Sequence, residues 1–243
     1  MLPIVKGTID RRILVNFRIE PEVVSRILPA PFRPKIVRGM AIGGICLIRL
    51  AHIRPRFLPV YTGFSSENAA HRFAVEWDDH GVTREGVYVP RRDTSSWLNV
   101  LIGGRLFPGV HHHATFTVDE RDDHYRVAYD SDDHAVHVAV AGELSPQLPE
   151  SSVFRSLREA SEFFEHGSLG YSAGHRAGEY DGLELKTFNW KVQPLAVTHV
   201  DSSYFSNSAY FPAGSVEFDC ALLMLAIEHE WLKQPALCCE PAV

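Results

Sequence analysis

Cysteine is scarce in this chain: four in 243 residues, Cys46, Cys220, Cys238 and Cys239, with no C-x-x-C spacing among them. That excludes a zinc knuckle, and so few thiols so placed exclude a disulfide scaffold. Cys46 and Cys220 sit in the apolar stretches GGICLIRL and EFDCALLML, where a thiol serves as a small hydrophobe, and no cysteine is assigned a catalytic role. Long apolar runs are also missing, none nearing the roughly 18 residues a membrane helix needs. The opening MLPIVKGTID lacks the charged, apolar, small-residue order of a secretory leader. These absences predict a cytoplasmic protein without membrane contact. A formal charge of -6, with basic residues scattered and no basic-aromatic stripe, argues against a nucleic-acid partner. Linkers, repeats and low-complexity segments are lacking as well, so residues 1–243 are expected to form a single domain with a frayed tail.

What is present is a succession of strand patterns. Ile13, Val15, Phe17 and Ile19 alternate as in a half-buried strand. Glu20-Pro21 ends it and starts a short helix, with Val23, Val24, Ile27 and Leu28 on one face before Pro29 and Pro31. Strands are predicted over 40–52, 70–78 and 85–90, then over 111–119, 124–130 and 135–143 as a meander with Asp-rich turns, and later over 174–180, 183–193, 196–204 and 221–231. Asp93 is the predicted cap of a helix closed by Gly103-Gly104, and Ser152 that of a helix over 153–165 stopped by Gly167. The aromatic pairs Tyr204-Phe205 and Tyr210-Phe211 read as a cavity wall or a subunit contact. The expected class is α+β: a curved, mostly antiparallel β-cone or barrel with a few helices packed on it.

The richest chemical signal is the run His111, His112, His113 at the head of a strand. Alternation puts His111 and His113 on one face and His112 on the other. Imidazole titrates near neutrality and ligates metals, so an inward pair suits acid-base work or metal binding. Arg72, five residues after Glu67 at a strand start, is a candidate anion contact, with an ion pair as its structural alternative. Arg91 and Arg92 read as supports of a turn.

The blocks FRIEPEVVSRILPAPF (Phe17 to Phe32), GFSSENAAHRF (Gly63 to Phe73) and RLFPGVHHHATF (Arg105 to Phe116) resemble the acetoacetate-decarboxylase-like superfamily, and within it a branch of uncharacterised bacterial proteins. The resemblance implies a cone-like β-structure around a small-molecule cavity, and members that commonly form homo-oligomers. In the decarboxylases a lysine after Phe-Pro forms a Schiff base with the substrate ketone. Here that position falls on His111 and its neighbour on His112, and none of the five lysines, Lys6, Lys35, Lys186, Lys191 and Lys233, lies in the block. Imidazole cannot form the iminium, so classical acetoacetate decarboxylase activity is not expected. The resemblance also places an acidic residue at Glu67 and a carboxylate-holding arginine at Arg11 or Arg12.

Together these readings predict a small-molecule-binding protein that takes an oxo or carboxylic acid without Schiff-base chemistry. If it is an enzyme, it is of lyase or hydrolase type. His111 or His113 is then the base and Glu67 the acid, and Arg11, Arg105, Arg72 and His112 hold the substrate. No cofactor is expected. The residues leave two other readings open: a ligand-binding or scaffold protein without turnover, and a metalloenzyme built on His111 and His113.

Overall fold

The computed structural model describes residues 4–103 and 108–238; the candidate Arg105 and Cys239 lie outside them. Seven long or well-paired strands build one half of the fold: β1 (Val5–Ile19), β4 (Met40–Pro55), β5 (Phe64–Asp79), β6 (Val82–Thr94), β10 (Leu169–Ala173), β11 (Glu179–Thr187) and β13 (Val216–Cys238). The other half is a meander of β7 (His111–Arg121), β8 (His124–Ser131) and β9 (His137–Leu144), joined to β12 (Gln193–Ser202). Two short strands, β2 (Arg33–Pro34) and β3 (Ile36–Val37), complete a sheet of 13 strands.

The sheet closes on itself twice. One ring runs β13-β1-β4-β5-β6-β10-β11 and returns to β13. The other leaves β6 through β7, β8, β9 and β12 and also returns to β13. Both share the wall β13-β1-β4-β5-β6, each face of which carries its own hydrophobic core. The face toward the meander buries Ile13, Val15, Phe17, Phe73, Tyr129 and Val138. The face toward β10 and β11 buries Leu14, Cys46, Leu222, Met224, Phe154 and Phe164. A strand inside such a wall has no solvent side, and β1 accordingly buries Ile13, Val15, Phe17 and Ile19 on one face and Ile9 and Leu14 on the other.

The expected class is the observed one, with most differences at element ends. β1 begins at Val5, eight residues before the predicted 13, because the pairing partner β13 is 23 residues long and holds the polar VKGTID segment in the ladder. β13 also runs to Cys238, which pairs with Glu179, so this part of the expected tail is ordered strand. Helix α1 (Pro21–Ile27) falls where Pro21 puts it. Helix α2 (Trp97–Ile102) is capped by Ser96, whose Oγ accepts from Asn99 N at 3.3 Å, and not by Asp93. Asp93 remains in β6 with its carboxylate taken by Arg91. Helix α3 (Leu157–His166) is likewise capped by Ser156, because Ser152 donates to Asp219 Oδ2 at 2.7 Å. The predicted strand over 174–180 is displaced to β10. Of the aromatic pairs, Phe205 and Phe211 are buried on Phe17 and Phe73, Tyr204 stacks on His71 at 4.3 Å, and Tyr210 stays exposed. Phe205 and Phe211 thus belong to the protein's own core.

Candidate functional site

Two β-bulges decide which polar side chains reach the cavity. In β1 the register against β4 slips between Ile9 and Arg11. A bulge re-aims the residues beyond it, so Arg11 shares a face with Ile13 while Arg12 shares the opposite face with Leu14. In β6 three steps from Tyr88 to Arg91 oppose two in β5, from Phe73 to His71. Val87 and Val89 point inward before that slip and Arg92 after it, leaving Arg91 on the other face.

The smaller ring carries a partly open cavity of about 130 Å³. Most of its wall is apolar, with Leu14, Ile48, Leu50, Val89, Phe164 and Trp231 among the contributors. Into it come Arg12, Arg72, Arg92 and His111. Arg72 is buried; one NH2 donates to Asn16 Oδ1 at 2.7 Å, the guanidinium lies over the Phe164 ring at 5.0 Å, and its Nε has no partner. The Nη2 of Arg92 donates to Ser172 Oγ at 3.3 Å, and among the described residues its Nε too has no partner. The Nε of Arg12 contacts Cys46 Sγ at 3.2 Å. Among the described residues none of the three makes an ion pair with a carboxylate. Burial pulls Arg72 and Arg92 down to about 10, Arg12 adding to the effect at Arg72, yet both remain cations at neutral pH. An uncompensated buried cation is costly, and an anion entering the cavity removes that cost.

His111 sits beside these cations because two glycines let it. A Cβ on Gly103, the residue closing α2, would stand 2.6 Å from His111 Nδ1. Gly109, at φ +79, presents its carbonyl to the same Nδ1 at 3.3 Å. A carbonyl only accepts, so in the neutral ring Nδ1 carries the hydrogen and Nε2 is an acceptor. Burial, reinforced by Arg92, drives His111 down from an ordinary value near 6.5 to about 3, so the ring is neutral at physiological pH. Nearby, Asn99 Nδ2 donates to Thr94 Oγ1, Asn68 Oδ1 and Ser66 Oγ at 3.1–3.3 Å, fixing α2 on β5.

The other candidates stand elsewhere. Arg11 is 1% exposed and donates to Glu67 at 2.5 Å and Glu120 at 2.8 Å; Arg49 binds the same two carboxylates. Glu67 therefore neutralises two arginines on the face turned away from the cavity. His113 stacks on Trp97 with ring centroids 4.0 Å apart and contacts Asp132 at 2.8 Å. His112 Nδ1 lies 3.0 Å from Asp133. Thus the structure brings Arg72 and His111 together, and keeps Arg11, Glu67, His112 and His113 apart from them. Arg12 and Arg92 join the site in their place. Asp93 also touches the lining, but Arg91 binds both its oxygens, at 2.8–3.1 Å. No group of three or more His, Cys, Asp or Glu placed to hold a metal occurs among the described residues. The described lining contains no lysine; Lys35, next to it, is paired with Glu85. No described helix is long and apolar enough to cross a membrane.

The doubly closed sheet is the acetoacetate decarboxylase-like fold. The acetoacetate decarboxylase of Legionella pneumophila superposes with a TM-score of 0.62 at 10% identity, covering 95% of this chain and 84% of that one. An acetoacetate decarboxylase-like enzyme from Sphingomonas wittichii RW1 gives 0.60 at 10%, covering 98% and 93%. The enduracididine biosynthesis enzyme MppR, complexed with pyruvate, gives 0.58 at 8%, covering 97% and 90%. At these identities the likeness is one of fold. By sequence the chain belongs to the DUF2071 family, described as an uncharacterized conserved protein, which matches residues 7–218. No curated protein matches it.

Proposed function

We propose that this protein binds a small carboxylic or oxo acid in the cavity of the smaller ring, and that chemistry on this ligand, where it occurs, proceeds without a Schiff base. One observation carries the reading: Arg12, Arg72 and Arg92 line a mostly apolar cavity, and among the described residues none of the three is ion-paired with a carboxylate. Guanidinium matches a carboxylate with a planar, forked pair of hydrogen bonds, strongest where water is excluded. An oxo acid is also the ligand named for MppR in its complex with pyruvate. His111, nominated as a base, lines the same cavity, which supports a role for it beside such a ligand. The lack of lysine in the described lining supports the iminium-free part of the proposal.

Calorimetric titration with a panel of short oxo acids tests it. Saturable binding is expected, with at least tenfold weaker binding in Arg72→Gln, equal to about 1.4 kcal/mol. Borohydride treatment with the same acids is expected to leave every lysine unmodified. A covalent lysine adduct refutes the iminium-free route, and the absence of binding by any acid refutes the whole reading.

A further inference from the structure

The number and spacing of the cavity cations narrow the ligand further. Arg92 stands opposite Ala70 in the β5-β6 ladder, and Arg72 follows two residues after Ala70 on the same strand. They therefore sit on adjacent strands of the wall, Arg72 within the register slip between His71 and Phe73. Arg12 enters from β1, and its Nε lies on Cys46 Sγ, with Cys46 itself opposite Ala70. Three guanidiniums thus converge around the Cys46-Ala70 pair from three strands. Arg12 is held at Cys46 on β4 and Arg72 at Asn16 on β1, whereas Arg92 is held at Ser172 on β10, so the cations are anchored as a pair and a single on different strands of the ring.

A single carboxylate takes one forked contact and leaves at least one of the three cations without a carboxylate, Arg72 being buried and Arg12 and Arg92 half-buried. A second acidic group a few bonds away reaches the other. Cys46, Ile48, Ala70 and Val89 between them offer the short hydrocarbon spacer an apolar surface. Resting on the reading above, we infer that the ligand is a short diacid, one carboxylate held by Arg12 and Arg72 and the other by Arg92. Ser172 Oγ, already at Arg92, supports the second group.

Titration at constant ionic strength with length-matched pairs decides this: succinate against butyrate, and 2-oxoglutarate against 2-oxopentanoate. Each diacid is expected to bind about ten- to a hundredfold tighter than its partner, the range for one added charge-assisted contact. In Arg92→Gln the diacid is expected to lose more affinity than the monoacid, so that the diacid advantage falls below threefold. Equal affinities in the wild-type protein overturn the diacid assignment and leave the acid-binding reading standing. So does a diacid preference that persists in Arg92→Gln, because the second carboxylate is then held elsewhere. Binding by none of the four overturns both.

Discussion

Arg11 and Arg12 are neighbours in sequence and opposites in circumstance. The first is 1% exposed and meets Glu67 and Glu120, which Arg49 also shares. The second crosses the same wall to the other face and meets a thiol, a thioether and, through the cavity, two more arginines. One face of the sheet thus spends its carboxylates on its cations, and the other leaves its cations open. Compensated charge builds structure; uncompensated charge in a cavity favours an anion beside it. The buried histidines show the third outcome. Guanidinium holds its proton in burial, whereas imidazole can release it, and His71, His229 and His111 do: burial takes them down to about 3, 4 and 3.

The largest test of this contrast is pH. Each of these histidines binds a proton more readily when unfolded, near its ordinary 6.5, than when folded. Their contribution to stability is complete above pH 6.5 and is lost as the pH falls from there toward the folded values. The slope reaches about 1.4 kcal/mol per pH unit for each fully discharged ring. Urea midpoints between pH 7 and 4.5 are expected to fall steeply, and His71→Phe to flatten the fall. A flat profile would mean that the imidazoles stay charged and that burial is compensated on both faces alike.

Next in size is the compensated face. Glu67→Gln strips a shared carboxylate from Arg11 and Arg49 and is expected to cost about 3 kcal/mol in urea unfolding at pH 7.5, since it orphans a buried cation. A loss below 1 kcal/mol would show that Glu120 alone suffices and that the network is redundant. The smallest expected effect on stability is on the open face. Arg72→Met removes an uncompensated charge and one hydrogen bond to Asn16, and these opposing changes are expected to leave stability within about 1 kcal/mol of wild type. Destabilisation as large as that of Glu67→Gln would make Arg72 a structural residue and erase the distinction between the faces.

Much of the architecture was legible along the chain because it depends on local periodicity. The alternation Ile13, Val15, Phe17, Ile19 marked β1, Pro21 marked the start of α1, and the meander of β7, β8 and β9 followed from short apolar alternations between Asp-rich turns. His111 and Arg72 both line the cavity, whereas the residues nominated with them and described by the structure do not converge there. Two causes account for this. A bulge inverts the face of every residue beyond it, and nothing in RRILVNF or VPRRDT announces the slips at Asp10 and before Arg91. Carboxylates and hydroxyls are also claimed by distant strands: Asp93 by Arg91, Ser152 by Asp219, Glu67 by Arg11. A cap or an acid chosen from its neighbours in sequence is then already engaged.

The chain by itself determined the strand-rich class, the start of the first helix, the strand that carries the three histidines, and the absence of lysine from that block. Those properties rest on residues within a few positions of one another. Only the tertiary structure decided that Arg12 rather than Arg11 faces the cavity, that Arg92 joins it, and that Glu67 does not. Which face a side chain takes, and which charge it meets there, depends on register between strands tens of residues apart, and register is set by how the sheet closes.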